Sequence, residues 1–333
     1  MDEEHGQPPA ASAEWFHCGD GVRLYLHRWE LPAGNRGAGP LAVLHIVHGM
    51  AEHSLRYERL ARRCTEKGVE VWAADLRGHG RTADPAINDP GRGGMPGHCG
   101  DGDGFALVTG DVEAINRRIR QERPGVPLLL MGHSWGSFIV QYQAERYGNA
   151  DGLILSGTRG PGGGIVAFGA GFFALIARIL GPRRELAQAR KAALGFCNRP
   201  FRPARTPFDW LSRDEREVDN FMADPFCFLS YSAGFCRDML RGLKTIHHAE
   251  AMERIPRDLP AYIFAGSADP VGDMGMSPTA LVNAYRSMGM EDLEFVLYPE
   301  ARHEMLNETH REEVTDNLLS WILRHWGRTL LQP

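Results

Sequence analysis

The chain has no CxxC pair: six cysteines (Cys18, Cys64, Cys99, Cys197, Cys227, Cys236) lie scattered along 333 residues. That excludes a zinc ribbon and a dense disulfide framework, and leaves the thiols to be read as reduced, small apolar residues. It has no basic block either, and 37 basic against 42 acidic side chains leave a net charge of −5. An electrostatically driven nucleic-acid binder is thereby excluded, and no nucleic-acid partner is expected. Residues 1–13, acidic and rich in Pro and Ala, lack the basic n-region and apolar h-region of a secretory signal. They read as a flexible tail, and a cytoplasmic location is the expectation. No solenoid period repeats.

What is present is ordinary for a globular protein, with 43% apolar and 24% charged residues. At about 150 residues per domain, the length fits one large α/β domain or one domain carrying an insertion. Glu14 to Cys18 and Val22 to Trp29 read as a hairpin through Gly19-Asp20-Gly21. Six short runs follow that do not alternate apolar with polar: Leu41 to Val47, Val69 to Ala74, Pro127 to Met131, Gly152 to Ser156, Ala261 to Ala265 and Leu293 to Tyr298. Strands buried on both faces of a parallel sheet have that pattern. Helical candidates lie between most of them (Leu55 to Lys67, Phe105 to Glu122, Ser134 to Tyr147, Ser277 to Ser287, Arg311 to Trp326), so a doubly wound, mostly parallel, eight-stranded sheet is predicted.

Two segments break the alternation. Asp84 to Gly104 holds seven glycines in 21 residues and reads as a long surface excursion. Between Ser156 and Ala261 lie about 100 residues, far more than a crossover needs. An inserted helical cap over 158–244 is expected there, with helices at Ile165 to Leu180, Arg184 to Leu194, Ser212 to Met222 and Phe228 to Leu243; residues 14–157 and 245–333 then form the core. The uncharged stretch Gly160 to Ala177, 18 residues with six glycines and a proline, reads as a loop entering a buried or lid helix, with a membrane span or a lipid-touching lid as alternatives.

Chemistry concentrates at Gly132-His133-Ser134-Trp135-Gly136, a G-x-S-x-G placed between a strand run and a helical run. A sharp strand-to-helix turn needs those glycines and lifts a strained Ser134 above the sheet at a helix N-terminus. A serine hydroxyl needs a base, and the base needs an orienting acid, in the chain order Ser, acid, His. Asp269 follows the run ending at Ala265 and is the acid candidate, with Asp273 as its alternative. His303 follows Tyr298 ahead of the last helix and is the candidate base; His310 and His325 read as surface residues. Two N–H groups should receive the oxyanion, one from Trp135 and one from Met50 in His48-Gly49-Met50. His48 is read as a brace of that loop. No metal is expected: the His48/His53 pair is explained by the same loop, and H-E-x-x-H is absent.

With these residues the chain resembles the α/β-hydrolase superfamily, in the branch of monoacylglycerol lipases and lysophospholipase-like esterases. The resemblance rests on His48 to Tyr57 (HGMAEHSLRY), Asp75-Leu76-Arg77-Gly78-His79-Gly80, the Ser134 turn, and the Asp269 and His303 loops; Trp135 and Ser137 depart from the Met and Gly common there. It implies an α/β-hydrolase fold and a cofactor-free serine carboxylesterase with a helical cap over a lipid-like acyl site. It also implies that Glu52 and Arg56 arrange a head-group pocket, or else form a salt bridge bracing the oxyanion loop. Phe168, Phe172 and Phe173 either line an acyl tunnel or fasten the cap to the core. The expected partner is a monoacyl ester or lipid, with transient membrane contact through the cap. An amidase or peptidase with the same three residues, and a ligand-binding protein without turnover, are the alternatives; epoxide hydrolase and haloalkane dehalogenase are disfavoured because their attacking residue is a carboxylate.

Overall fold

A computed structural model describes residues 11–32, 39–227 and 230–327. Residues 1–10 of the expected tail and Phe228, the expected start of the last cap helix, lie outside them. The eight strands are β1 (Ser12–His17), β2 (Arg23–Trp29), β3 (Ala42–Val47), β4 (Val69–Ala74), β5 (Leu128–His133), β6 (Gly152–Ser156), β7 (Ala261–Gly266) and β8 (Leu293–Tyr298), in the order β1-β2-β4-β3-β5-β6-β7-β8. β1 and β2 pair antiparallel and β2 joins β4 antiparallel; every later pair is parallel. This is the expected doubly wound, mostly parallel sheet. The first strand starts earlier than expected, because Ser12 and Ala13 pair with Arg28 and His27 and so belong to the hairpin rather than to a tail.

Every residue of β3 to β7 is buried. The cause is helical cover on both faces, which lets apolar side chains point both ways. On one face α2 (Gly104–Glu122), α3 (Trp135–Arg146) and α9 (Met276–Ser287) bring Val108, Val112, Ile139, Val140, Leu281 and Tyr285. On the other, α1 (Glu58–Glu66) and α10 (Arg311–Trp326) bring Leu60, Cys64, Leu318, Trp321 and Ile322. β3 sits between β4 and β5, so the chain reverses its winding direction there, and Val47 pairs with Gly132. The loops leaving β3 and β5 therefore emerge side by side at the carboxyl edge, where open α/β sheets bind ligands.

Between β6 and β7 come α4 (Gly163–Leu180), α5 (Ala187–Cys197), α6 (Glu215–Ala223) and α7 (Ala233–Ile246), followed by the short α8 (Ala249–Met252). α7 runs two residues past the expected end of the insertion at 244. α4 lies along α7 through its small residues: Ala170 and Ala177 are buried, and Gly169 faces Leu240. Among the described residues no helix is long and apolar enough to cross a membrane.

The glycine-rich segment after Asp84 is a surface excursion only in part: Asp84, Asp89, Arg92 and Asp101 are exposed, but Gly97 to Gly100 are buried. Gly97 N donates to Gly78 O at 2.8 Å, Ser232 N donates to Gly97 O at 3.0 Å, and His98 Nδ1 lies 2.8 Å from Ser232 Oγ. A Cβ at Gly97 would lie 1.7 Å from the Ser230 carbonyl oxygen. The glycines permit close backbone approach, and the segment is the seat on which the inserted helices rest.

Candidate active site

Ser134 links β5 to α3 with φ 51° and ψ −118°, a conformation that costs a non-glycine residue about 1–3 kcal/mol. The surroundings over-determine it. Ser134 N donates to Ser156 O at 2.8 Å, and Ser137 Oγ donates to Ser134 O at 2.5 Å. The flanking glycines are required by contact distance: a Cβ on Gly136 would lie 2.0 Å from Val47 O, and one on Gly132 would lie 2.3 Å from Gly136 O. Ser134 is half-buried, whereas His133 and Trp135 on either side are buried.

His303 lies in the loop after β8, and its Nδ1 donates to Asp269 Oδ2 at 2.8 Å. That bond leaves Nε2 as the free ring nitrogen. Asp269, fully buried, also accepts from Val271 N at 2.8 Å through Oδ1, while Asp273 is exposed and makes no bond to the imidazole. The His303 ring is 4.9 Å from that of His133, the residue before the serine, and a Cβ on Gly157 would sit 3.3 Å from His303 Cε1. Serine, histidine and aspartate thus share one end of the sheet. Burial opposes the imidazolium, but attraction to Asp269 outweighs it and raises the His303 pKa above its ordinary value.

The turn after β3 carries Met50 between Gly49 and Ala51, the latter at φ 59°. Glu52 Oε1 accepts from Gly49 N at 2.6 Å and from Tyr57 OH at 2.9 Å, closing the turn. Trp135 is the first residue of α3, so its N–H is one of the amides a helix leaves without an internal partner, at the positive end of the dipole. His48 Nδ1 donates to Gly49 O at 2.8 Å and its Nε2 accepts from Leu76 N at 3.0 Å, which fits a neutral bracing residue.

Glu52 and Arg56 do not form an open head-group pocket. Arg56 donates to Glu52 Oε2 at 3.0 Å and makes two 2.8 Å bonds to Glu304, the neighbour of His303. All three are largely withdrawn from solvent, and every carboxylate oxygen is already engaged within the protein. Burial opposes ionisation of Glu304, but Arg56 overrides it and holds the carboxyl well below its usual range. The bridge ties the Met50 turn to the His303 loop.

The aromatic set of α4 is also placed differently from either expectation. Phe168 is 76% and Phe172 51% exposed, while Phe173 is half-buried with its ring 5.4 Å from that of Phe172. Because α4 buries its small residues on α7, Phe168, Phe172, Leu175 and Ile179 form an outward stripe at helical spacing. They neither line a closed tunnel nor fasten the cap.

A family model described as serine aminopeptidase, S33 (Hydrolase_4) matches residues 38–310. The chain belongs to this family of α/β-hydrolases. Within it, the hydrolase is 28% identical over 314 residues to a monoacylglycerol lipase of Mycolicibacterium smegmatis, covering 92% of this chain and 94% of the relative. It is 27% identical to the monoglyceride lipase of Mus musculus, covering 91% and 88%. The fold superimposes with a TM-score of 0.84 on a thermostable carboxyl esterase from Bacillus coagulans at 26% identity, covering 94% of this chain and 98% of that one. The hydrolase is a serine ester hydrolase of the branch that contains the monoacylglycerol lipases.

Several residues at the site had no signal in the sequence. Trp210 O accepts from His303 N at 3.3 Å, Leu211 O accepts from Glu304 N at 2.8 Å, and the Trp210 ring lies 5.2 Å from that of His303. Asp224 Oδ2 is 2.8 Å from His53 Nε2. These contacts join residues roughly a hundred or more positions apart in the chain; only the adjacency of Glu304 to His303 could have drawn attention beforehand.

Proposed function

We propose that the hydrolase cleaves monoacyl lipid esters through an acyl-enzyme formed on Ser134. His303 Nε2 takes the hydroxyl proton as Ser134 Oγ attacks the ester carbonyl, and the Met50 and Trp135 N–H groups receive the negative charge on the carbonyl oxygen. Collapse releases the alcohol, which leaves with the proton from His303. Water, deprotonated by the same imidazole, then frees the fatty acid. The observation that carries this reading is the His303–Asp269 hydrogen bond at the same sheet edge as the strained Ser134. Similarity to lipases over most of the chain favours the ester. The family description favours a peptide amide as a second reading, but an aminopeptidase needs a free carboxylate for the substrate amine, and Glu52 and Glu304 are both spent on Arg56.

A fluorophosphonate probe is expected to label Ser134 once per chain, and hydrolysis of 1-monoacylglycerol, lysophosphatidylcholine and p-nitrophenyl esters from C2 to C16 is expected to peak at medium or long chains. Faster turnover of aminoacyl p-nitroanilides than of any ester would overturn the assignment in favour of the peptidase.

The insertion is the part proposed to meet the lipid phase. Thr158 to Pro207 carries nine Arg and Lys residues and one acid, Glu185, within a chain of net charge −5. Beside the exposed stripe of α4 lies a groove of about 440 Å³ lined by Arg178 and Arg241 with Leu175 and Pro182. An apolar stripe flanked by arginines suits an anionic bilayer, each cation contributing about 1 kcal/mol near such a surface. In flotation assays the hydrolase is expected to rise with phosphatidylglycerol vesicles at low salt, less with phosphatidylcholine, and poorly as Phe168→Ser/Ile179→Ser. Equal recovery on both lipids, or none on either, would remove the proposal.

A further inference from the structure

A chain of hydrogen-bonded side chains runs from the Ser134 turn into the core behind it. Ser137 Oγ lies 2.5 Å from Ser134 O and 2.8 Å from Thr158 Oγ1. Gln141, one turn further along α3, places Nε2 3.1 Å from Ser137 O and 3.2 Å from Thr158 Oγ1, and its Oε1 lies 3.0 Å from the Tyr285 hydroxyl on α9. Ser137, Gln141, Thr158 and Tyr285 are all fully buried.

The direction of every bond follows from two backbone carbonyls, which can only accept. Ser134 O takes the single hydroxyl proton of Ser137, so the Thr158 O–H must donate to Ser137 Oγ. Ser137 O requires that the nitrogen of the Gln141 amide face it; the other amide proton goes to Thr158 Oγ1, and Oε1 is left to accept from the Tyr285 O–H. The chain thus has one polarity, from Tyr285 through Gln141, Thr158 and Ser137 to Ser134 O.

That last acceptor matters because the Ser134 carbonyl and the Trp135 N–H belong to one planar peptide unit. Fixing the oxygen fixes the direction of the N–H across the plane. A donor on the carbonyl also draws electron density through the peptide resonance and strengthens the N–H as a donor, the polarisation expected along a hydrogen-bonded chain. The Trp135 side is held separately, its ring stacked 5.5 Å from that of His79 and 4.9 Å from that of Phe235. The helix already brings Ser137 N to the same oxygen at 2.9 Å; the hydroxyl is an added group. Apolar side chains of the same shape could fill this space without four buried polar groups to satisfy, so packing alone does not account for the chain.

We infer that the Ser137 hydroxyl is a positioning group of the oxyanion hole, holding and polarising the peptide that carries the Trp135 N–H, and that Thr158, just after β6, holds Ser137 in place. The inference rests on the proposed reading of Trp135 as an oxyanion donor.

Ser137→Ala is expected to lower kcat for p-nitrophenyl butyrate about tenfold, a fraction of the loss on removing an oxyanion donor outright, with KM within about twofold. Affinity for a trifluoromethyl ketone, which forms the oxyanion adduct, is expected to fall about tenfold, while the matching methyl ketone binds as before. Thr158→Val leaves the Ser137 bond to Ser134 O in place and is expected to cost about threefold in kcat, and Tyr285→Phe, at the far end, less than about twofold. Each variant loses a buried hydrogen bond and melts at a lower temperature, so a merely structural role would make kcat follow Tm rather than distance from Ser134 O. Wild-type kcat in Ser137→Ala, a loss carried by KM, equal weakening of both ketones, or equal kcat losses in Ser137→Ala and Tyr285→Phe would overturn the inference. Should Ser137→Ala fail to fold, the ketone pair on Thr158→Val decides: selective weakening of the trifluoromethyl ketone supports the role, and equal or no weakening overturns it. Ser134→Ala is run beside these variants. Ester turnover persisting there sinks the underlying serine reading, whereas wild-type kcat in Ser137→Ala with a dead Ser134→Ala sinks the positioning role alone.

Discussion

Asp269→Asn is expected to lower kcat about 10⁴-fold with little change in KM, and Ser134→Ala to leave only the residual rate that binding and the oxyanion hole supply. In the wild type, Asp269 Oδ2 accepts the Nδ1 proton of His303 and thereby leaves Nε2 free to act as base. An asparagine can offer its amide N–H instead, which stabilises the opposite tautomer and places the proton on the nitrogen that must accept one. The carboxylate also raises the imidazole pKa above its usual value against the effect of burial. The acid limb of the wild-type pH–rate profile is therefore expected above about pH 6.5, since activity is lost as the folded-state base becomes protonated. In Asp269→Asn, burial is opposed only by the weaker attraction of Glu304 and Glu52, and the limb moves to lower pH. Asp273→Asn, by contrast, is expected to stay within about threefold of wild type, the range of a surface substitution, because Asp273 is exposed and makes no bond to His303. The assignment falls if kcat measurements show Asp273→Asn impaired and Asp269→Asn near normal.

The hydrolase is also expected to lose about 4 kcal/mol of stability per pH unit around pH 5. His45, His133 and His247 are held neutral by burial, with pKa values lowered to about 4, and His79 with one lowered to about 3. In the unfolded chain each takes up a proton near about pH 6.5. Between about pH 6.5 and 4 the unfolded state therefore binds protons that the folded state refuses, and stability drops as pH falls. Glu145 acts in the opposite sense, because burial raises its carboxyl pKa to about 9 and the folded state keeps a proton the unfolded state has released. The net difference is about three protons, at about 1.4 kcal/mol per pH unit each. Against a total stability of ~5–15 kcal/mol this is a large fraction. For a chain of this length it corresponds to roughly 6 °C of Tm per pH unit. Melting curves followed by circular dichroism at pH 7, 6 and 5 check it. A Tm that is flat over this range would show that the buried histidines are already hydrated or protonated at neutral pH.

Much of this protein could be read before any coordinates. The non-alternating runs became fully buried strands, because a sheet covered on both faces leaves no polar side for alternation to mark. Ser134 was legible because its strained turn demands glycines at fixed offsets, which show in the local sequence even though Gly136 is required by the Val47 carbonyl on another strand. The Asp269 and His303 loops were legible because each follows a strand at the sheet's carboxyl edge. Where local sequence carried two meanings, it failed. Seven glycines after Asp84 looked like an exposed excursion, but Gly91, Gly97 and Gly104 among them allow close approach to Arg183, Ser230 and Asp238 of the insertion. Phe168 and Phe172 looked like a lining, but the direction of a helix's large side chains depends on which face its small ones bury, and α4 buries Ala170 and Ala177 on α7.

Sequence alone therefore determined the sheet and the serine turn on which the proposed nucleophile sits, because those depend on periodicity and on glycines spaced within a few residues. Tertiary structure decided the rest: that Arg56 joins Glu52 to Glu304, that Trp210 and Leu211 hold the His303 loop, and that Tyr231 reaches His79. Apart from the neighbouring Glu52 and Arg56, each of those contacts brings together groups far apart in the chain, and such pairing leaves no mark on composition or spacing.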